Sequence, residues 1–136
     1  MDWSEFTAVA DMKVTGDGNG IHVSITDVVS AQLTETVYVW LDGSGNALRI
    51  GTSKPKVSKR LLQYNRYINK ALAGLGGGTP LWEANAWLDL VREQTLTAVV
   101  HQPPEIATVA GMVRPHLDIE RLLIQQLNPR LNRSRR

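Results

Sequence analysis

The sequence predicts a small α/β or α+β domain, with a three-stranded core sheet flanked by helices in the order β-β-α-α-β-α and an N-terminal β/α extension before it. Three observations lead there. Two apolar, β-branched runs, Thr36–Leu41 and Ala47–Gly51, flank the turn Asp42-Gly43-Ser44-Gly45-Asn46, which is the pattern of a β-hairpin. From Pro55 the apolar spacing changes to the helical period, and two such segments follow one another. A short continuous apolar run, Thr95–Val100, then precedes a third helical segment.

Each element has its own signals. Residues 1–12 place Trp3, Phe6 and Ala10 on one side of a short amphipathic helix. Gly16-Asp17-Gly18-Asn19-Gly20 is a turn, and Ile21, Val23 and Ile25 alternate as a strand. In the first long helix Val57, Leu61, Tyr64 or Asn65, Ile68 and Leu72 mark the buried stripe, and Gly74, Gly76, Gly77 and Gly78 stop it. Thr79-Pro80 suits the cap and first turn of the second helix, whose stripe is Leu81, Ala84, Trp87, Leu88 and Val91. Pro103-Pro104 stops the last strand, and Asn128-Pro129 ends the third helix.

Composition excludes several classes. The 136 residues contain no cysteine, which rules out a disulfide scaffold and thiolate metal sites. No apolar run reaches the length of a membrane span, and the acidic start Met1-Asp2-Trp3-Ser4-Glu5 is unlike a signal peptide, so a soluble cytoplasmic protein is expected. Net charge is only +2, but it is unevenly spread. Residues 49–70 carry seven bases and no acid, whereas residues 1–48 carry seven acids and one base. Such segregation is the footprint of a polyanion partner. Lys54, Lys56, Lys59, Arg66 and Lys70 are the expected phosphate contacts, and the tail with Arg130, Arg133, Arg135 and Arg136 adds to them. His22, His101 and His116 form no metal-ligand spacing. The Gly74–Gly78 stretch lacks the lysine of a phosphate loop, and no nucleophile elbow is present.

Glu120 stands out chemically. In the helix from Pro115 to Leu127, Leu117, Ile119, Leu122, Leu123, Ile124 and Leu127 fill one arc, and Glu120 falls inside it. A carboxylate on a core-facing stripe must be paired, protonated or bound to a cation.

The order of these residues resembles the GIY-YIG nuclease family over residues 36–132. Thr36-Val37-Tyr38 and Arg49-Ile50-Gly51 stand where that family has its two signature tripeptides, with Thr36 replacing the first glycine and Arg49 replacing the second tyrosine. The resemblance implies a nuclease domain at 36–132, an extension at 1–35 and a basic tail at 133–136. It implies a catalytic set of Tyr38, Arg49, Arg60, Tyr64, Glu120 and Asn132. Glu120 would hold one Mg2+ or Mn2+, Arg60 would stabilise charge on the scissile phosphate, and Tyr38 would direct the attacking water. Tyr64 would position water or phosphate, and Asn132 would anchor the chain after the helix. Arg49 in that place can contact phosphate, can lower the pKa of Tyr38, or can mark a domain that binds nucleic acid without cutting it. The implied activity is a metal-dependent DNA endonuclease acting as a homodimer or with a specificity partner. A non-catalytic nucleic-acid-binding module on the same fold and a protein-interaction domain are the alternatives.

Overall fold

The computed structural model describes residues 1–132. The expected basic tail at 133–136, with Arg133, Arg135 and Arg136, lies outside the described residues. Ten elements follow in order: β1 (Thr7–Val14), β2 (Ile21–Ile25), β3 (Thr36–Leu41), β4 (Ala47–Ser53), α1 (Val57–Leu72), α2 (Leu81–Glu93), β5 (Leu96–His101), β6 (Ile106–Thr108), β7 (Gly111–Val113) and α3 (His116–Leu127). A single 3-10 turn, Ser30–Gln32, lies between β2 and β3. The expected mixture of a sheet and covering helices is present. β4, β3 and β5 are the three expected strands, and β1 and β2 widen the sheet to five in the order β2-β1-β5-β3-β4. All of its pairings are antiparallel.

The sheet is buried on both faces. Along β3 every residue is buried, and alternate side chains go to opposite clusters. Tyr38 and Trp40 join the cluster under α1 and α2, whereas Val37, Val39 and Leu41 join the cluster under α3. That alternation is the period of two that a strand imposes, so one six-residue run organises both cores. Trp40 packs edge-to-face on Trp87 and Tyr64, which fastens β3 to both covering helices. In the turn after β3, the Asp42 carboxylate accepts the backbone N–H groups of Ser44 and Asn46. Gly45 takes a φ of +83° there, which explains the glycine.

The short helix expected within residues 1–12 is corrected to strand from Thr7 onward. β1 lies between β2 and β5, and a register shift between Ala8 and Ala10 buries two consecutive residues, Val9 and Ala10. The bulge breaks strict alternation and produces the spacing that reads as helical; two neighbouring strands decide the outcome. Trp3 and Phe6 turn the other way and pack with α3 against the second cluster. The Thr79 cap is also corrected. Pro80, with extended backbone, occupies the cap position of α2 and no side chain caps it.

The arc of α3 is narrower than its sequence suggests. Leu117 and Leu122 are exposed, and His116, Ile119, Leu123, Ile124 and Leu127 take the inner side with Glu120. Beyond the helix, Asn128 adopts a left-handed conformation and the chain turns back along β4. Leu131 donates its N–H to the Leu48 carbonyl. The Asn132 amide both accepts from the Ile50 N–H at 2.8 Å and donates to the Ile50 carbonyl at 3.0 Å. A side chain thus imitates a sixth strand along an edge that would otherwise stand open.

Candidate active site at the edge of the sheet

The β3–β4 register sets the first half of the site. Tyr38 lies opposite Gly51, and Trp40 lies opposite Arg49. A Cβ on Gly51 would come 2.3 Å from the Tyr38 hydroxyl oxygen and 2.4 Å from Cζ, so only glycine lets the phenol lie across the edge strand. Gly51→Ala is expected to force the ring out and to lower stability by about 1–3 kcal/mol, the usual cost of overpacking. Denaturant midpoints and near-ultraviolet circular dichroism of the tyrosines would check it; an unchanged spectrum would mean that the ring does not depend on Gly51.

Tyr38 is almost wholly buried, and its hydroxyl meets that of Tyr64 at 2.8 Å. Burial, reinforced by Tyr64, pushes the Tyr38 phenol well above its ordinary value; Arg49 and Arg60 pull it down and are outweighed. Arg49 thus lowers the Tyr38 pKa, as its charge implies, but does not bring it below the ordinary value.

Arg49 is held from beneath. Its Nη1 donates to the Leu131 carbonyl at 3.0 Å and lies 3.6 Å from Glu83 Oε1. Glu83 is only 1 % exposed, and its other oxygen accepts the Trp87 indole N–H at 3.3 Å. Sequence reasoning passed over Glu83. The available signal was the one that identified Glu120, an acid on an apolar helical stripe, here one turn before Trp87.

α1 and α3 bring the second half. Arg60, exposed on α1, donates weakly to Gln63 at 3.4 Å and faces the cleft. Tyr38, Arg49, Arg60, Glu120 and Asn132 line one cavity of about 400 Å³ together with Gly51, Thr52 and Ile124. Tyr38, Arg49 and Arg60 also line an adjoining cavity of about 180 Å³, walled by Tyr64, Tyr67 and Thr79, with Glu83 in its lining. The six residues of the expected catalytic set therefore meet at one edge, although they come from both faces of the sheet and from four separate stretches of chain.

Burial raises the pKa of Glu120 above the ordinary 4.5, and Arg49 and His116 oppose the rise. His116 sits one turn before Glu120, buried, with Nδ1 3.1 Å from the Arg114 carbonyl oxygen. It is the one histidine that bears on the site, through that electrostatic effect. No group of three or more His, Asp or Glu side chains able to hold a metal gathers among the described residues. A cation here would rest on one carboxylate. Mg2+ and Mn2+ tolerate that because they keep most of their water, whereas a structural zinc does not.

Lys54, Lys56, Lys59, Arg66 and Lys70 are all exposed. The first two occupy the turn before α1. Lys59, Arg66 and Lys70 form its outward stripe, beside the face that carries Arg60 and Tyr67. Arg66 is partly engaged, donating to the Tyr67 hydroxyl at 2.8 Å with its guanidinium over that ring. No helix among the described residues is long and apolar enough to cross a membrane.

No protein-family model matches this chain, and none of the curated proteins matches it. Solved structures do. The chain is similar to restriction endonuclease HPY188I, described in complex with product DNA, with a TM-score of 0.56 and 14% identity over 93% of this chain and 78% of that one. It is similar also to a mutant of bacteriophage T4 EndoII, with a TM-score of 0.58 and 17% identity over 93% of this chain and 90% of that one. These findings correct the family resemblance: no family model supports the GIY-YIG assignment, and neither endonuclease is described as a GIY-YIG protein. The assignment is withdrawn, and the chain shares the fold of these two endonucleases.

Proposed function

We propose that this protein is a divalent-metal-dependent DNA endonuclease that hydrolyses a phosphodiester bond in the cleft at the β4 edge. The observation that supports it most is the joint lining of one cavity by Tyr38, Arg49, Arg60 and Glu120. A desolvated carboxylate, two guanidinium groups and a phenol are the groups that in-line attack of water on a phosphodiester needs. Names of the structural neighbours point the same way, since both are endonucleases.

The roles follow from position. Arg60 stands at the exposed rim, where a phosphate arrives, and its planar fork suits two phosphate oxygens. Arg49, fixed by Glu83 and Leu131, contributes a second, immobile positive charge from below. Tyr38 stays a neutral phenol at neutral pH and can donate its proton to Tyr64, which leaves its own lone pairs to orient the attacking water. Tyr64 therefore acts on Tyr38. Asn132 shapes the edge through Ile50. Glu120 would hold Mg2+ or Mn2+, which supplies positive charge to the phosphate oxygens when bound. Lys54, Lys56, Lys59, Arg66 and Lys70 would bind the DNA backbone without reading sequence. A homodimer or a specificity partner would supply the selectivity that backbone contacts lack.

The test is nicking of supercoiled plasmid. Wild-type protein is expected to nick it in Mg2+ or Mn2+ and to stop on addition of EDTA. Salt-sensitive DNA binding without nicking at any divalent concentration would overturn the enzyme. It would favour instead a non-catalytic DNA-binding module on the same fold, the reading that Arg49 in place of a tyrosine favours.

A further inference from the structure

Resting on that reading of the cleft, we infer that Glu83 is a positioning residue that holds the Arg49 guanidinium away from Glu120 and so keeps the Glu120 carboxylate open to a cation. Arg49 and Glu120 line the same cavity, yet they form no ion pair within 4.0 Å. Opposite charges sharing one cavity attract. Something must restrain the arginine.

The restraint is visible on one nitrogen. Arg49 Nη1 is tied to Glu83 Oε1 and to the Leu131 carbonyl, while its Nε is buried and has no hydrogen-bond partner among the described residues. Satisfying a buried arginine calls for its fork to be filled; here the side chain accepts an unmet donor and stays turned toward Glu83. Glu83 is itself restrained: it is a buried residue of α2, and the Trp87 indole N–H holds its second oxygen. A buried ion pair of this kind is weak support for stability, because well-packed apolar residues serve a core as well or better. Its placement suits another task, since Arg49 lines both cavities and Glu83 lines only the one without Glu120. Removing the Glu83 charge leaves Arg49 with one carbonyl partner and an attractive acid across the cavity. Arg49 would then pair with Glu120 and compete with the cation.

The test measures Mn2+ affinity by calorimetry on the protein without DNA, together with the Mg2+ dependence of nicking. The proteins are wild type, Glu83→Gln, Arg49→Gln and the double variant. In Glu83→Gln the amide oxygen still accepts from Trp87, so the local packing is kept. Mn2+ affinity is expected to fall about tenfold or more, in the range seen when groups that orient metal ligands are lost. The Mg2+ needed for half-maximal nicking should rise by the same factor. In the Arg49→Gln background the same change at Glu83 should leave Mn2+ affinity unaltered, because the competing cation is gone. A general structural role would act equally in both backgrounds.

Unchanged Mn2+ affinity in Glu83→Gln, or an equal loss with and without Arg49, overturns the inference and leaves the nuclease reading standing. Mn2+ binding without any nicking by the wild type overturns the nuclease reading alone. A wild type that binds no Mn2+ overturns the inference, and if it also fails to nick, the nuclease reading falls with it. If Glu83→Gln does not fold, the double variant, which buries neither charge, is compared with Arg49→Gln; unequal affinities then overturn the inference.

Discussion

Glu120→Gln is expected to abolish divalent-dependent nicking while raising the melting temperature of the metal-free protein at neutral pH. The first effect follows from the metal role proposed for this carboxylate. A bound cation contributes several kcal/mol to stabilising charge in the transition state, and each ~1.4 kcal/mol is tenfold in rate, so a loss of roughly 10³-fold or more is expected. The second effect follows from burial. The carboxylate is half-buried and desolvated, and its pKa in the folded protein is raised, chiefly by that desolvation. A raised acid pKa means that folding favours the protonated form. The associated stability is fully present below the unfolded value, near 4.5, and is lost as pH climbs through the higher folded value. At neutral pH the wild type therefore carries a carboxylate whose desolvation Arg49 and His116 only partly offset, and the amide removes that charge. Melting curves in EDTA at descending pH should show the gap closing toward pH 4.5. A variant that melts below the wild type at neutral pH would contradict the desolvation argument. Retained nicking would contradict the metal role.

Arg60→Ala is expected to lower the nicking rate by about 10²–10³-fold, the loss seen when one preorganised donor to a developing oxyanion is removed. Stability should stay within about ±0.5 kcal/mol, since the side chain is exposed and its hydrogen bond to Gln63 is long. Arg60→Lys should recover only part of the rate, because an ammonium is a point charge without the planar fork. Single-turnover nicking at saturating Mg2+ with denaturant midpoints separates the effects. Nicking by Arg60→Ala within threefold of wild type would place the phosphate elsewhere.

Much of this arrangement was legible in the chain itself. The hairpin around Asp42–Asn46, the amphipathic α1 and α2, and the stop at Asn128-Pro129 rest on local signals: alternation, helical period, glycines and prolines. Glu120 was legible as well, because an acid on an apolar stripe needs an explanation wherever the helix packs. Glu83 carried the same signal and was passed over, since nothing nearby in the sequence hinted at a partner. Its partner, Arg49, lies two elements earlier, and the ion pair exists only after α2 has packed on the sheet.

Other features were decided by neighbours distant in sequence. β1 is a strand because β2 and β5 supply hydrogen bonds on both sides, which overrides the helical spacing of Trp3, Phe6 and Ala10. Leu117 and Leu122 look like core on a helical wheel, yet they are exposed because the sheet covers only one side of α3. Asn132 follows a helix end and has no local reason for order; the open N–H and C=O of Ile50 hold it. The net direction of the Tyr38 pKa was not legible from charge alone, because burial and the Tyr64 hydroxyl outweigh two nearby arginines.

The sequence by itself determined the class of fold, the helix and hairpin boundaries to within a few residues, and the identity of the polar groups that had no business in a core. These depend on patterns a few residues long, which the backbone reads locally. Only the tertiary structure decided that those groups share one edge. A cavity lined from β3, β4, α1 and α3 is a property of sheet order and of packing on both faces, and neither is encoded at short range. Gly51 joins the two levels. It is an ordinary strand glycine in the sequence, and across the pair it becomes the gap over which the Tyr38 ring reaches the cleft.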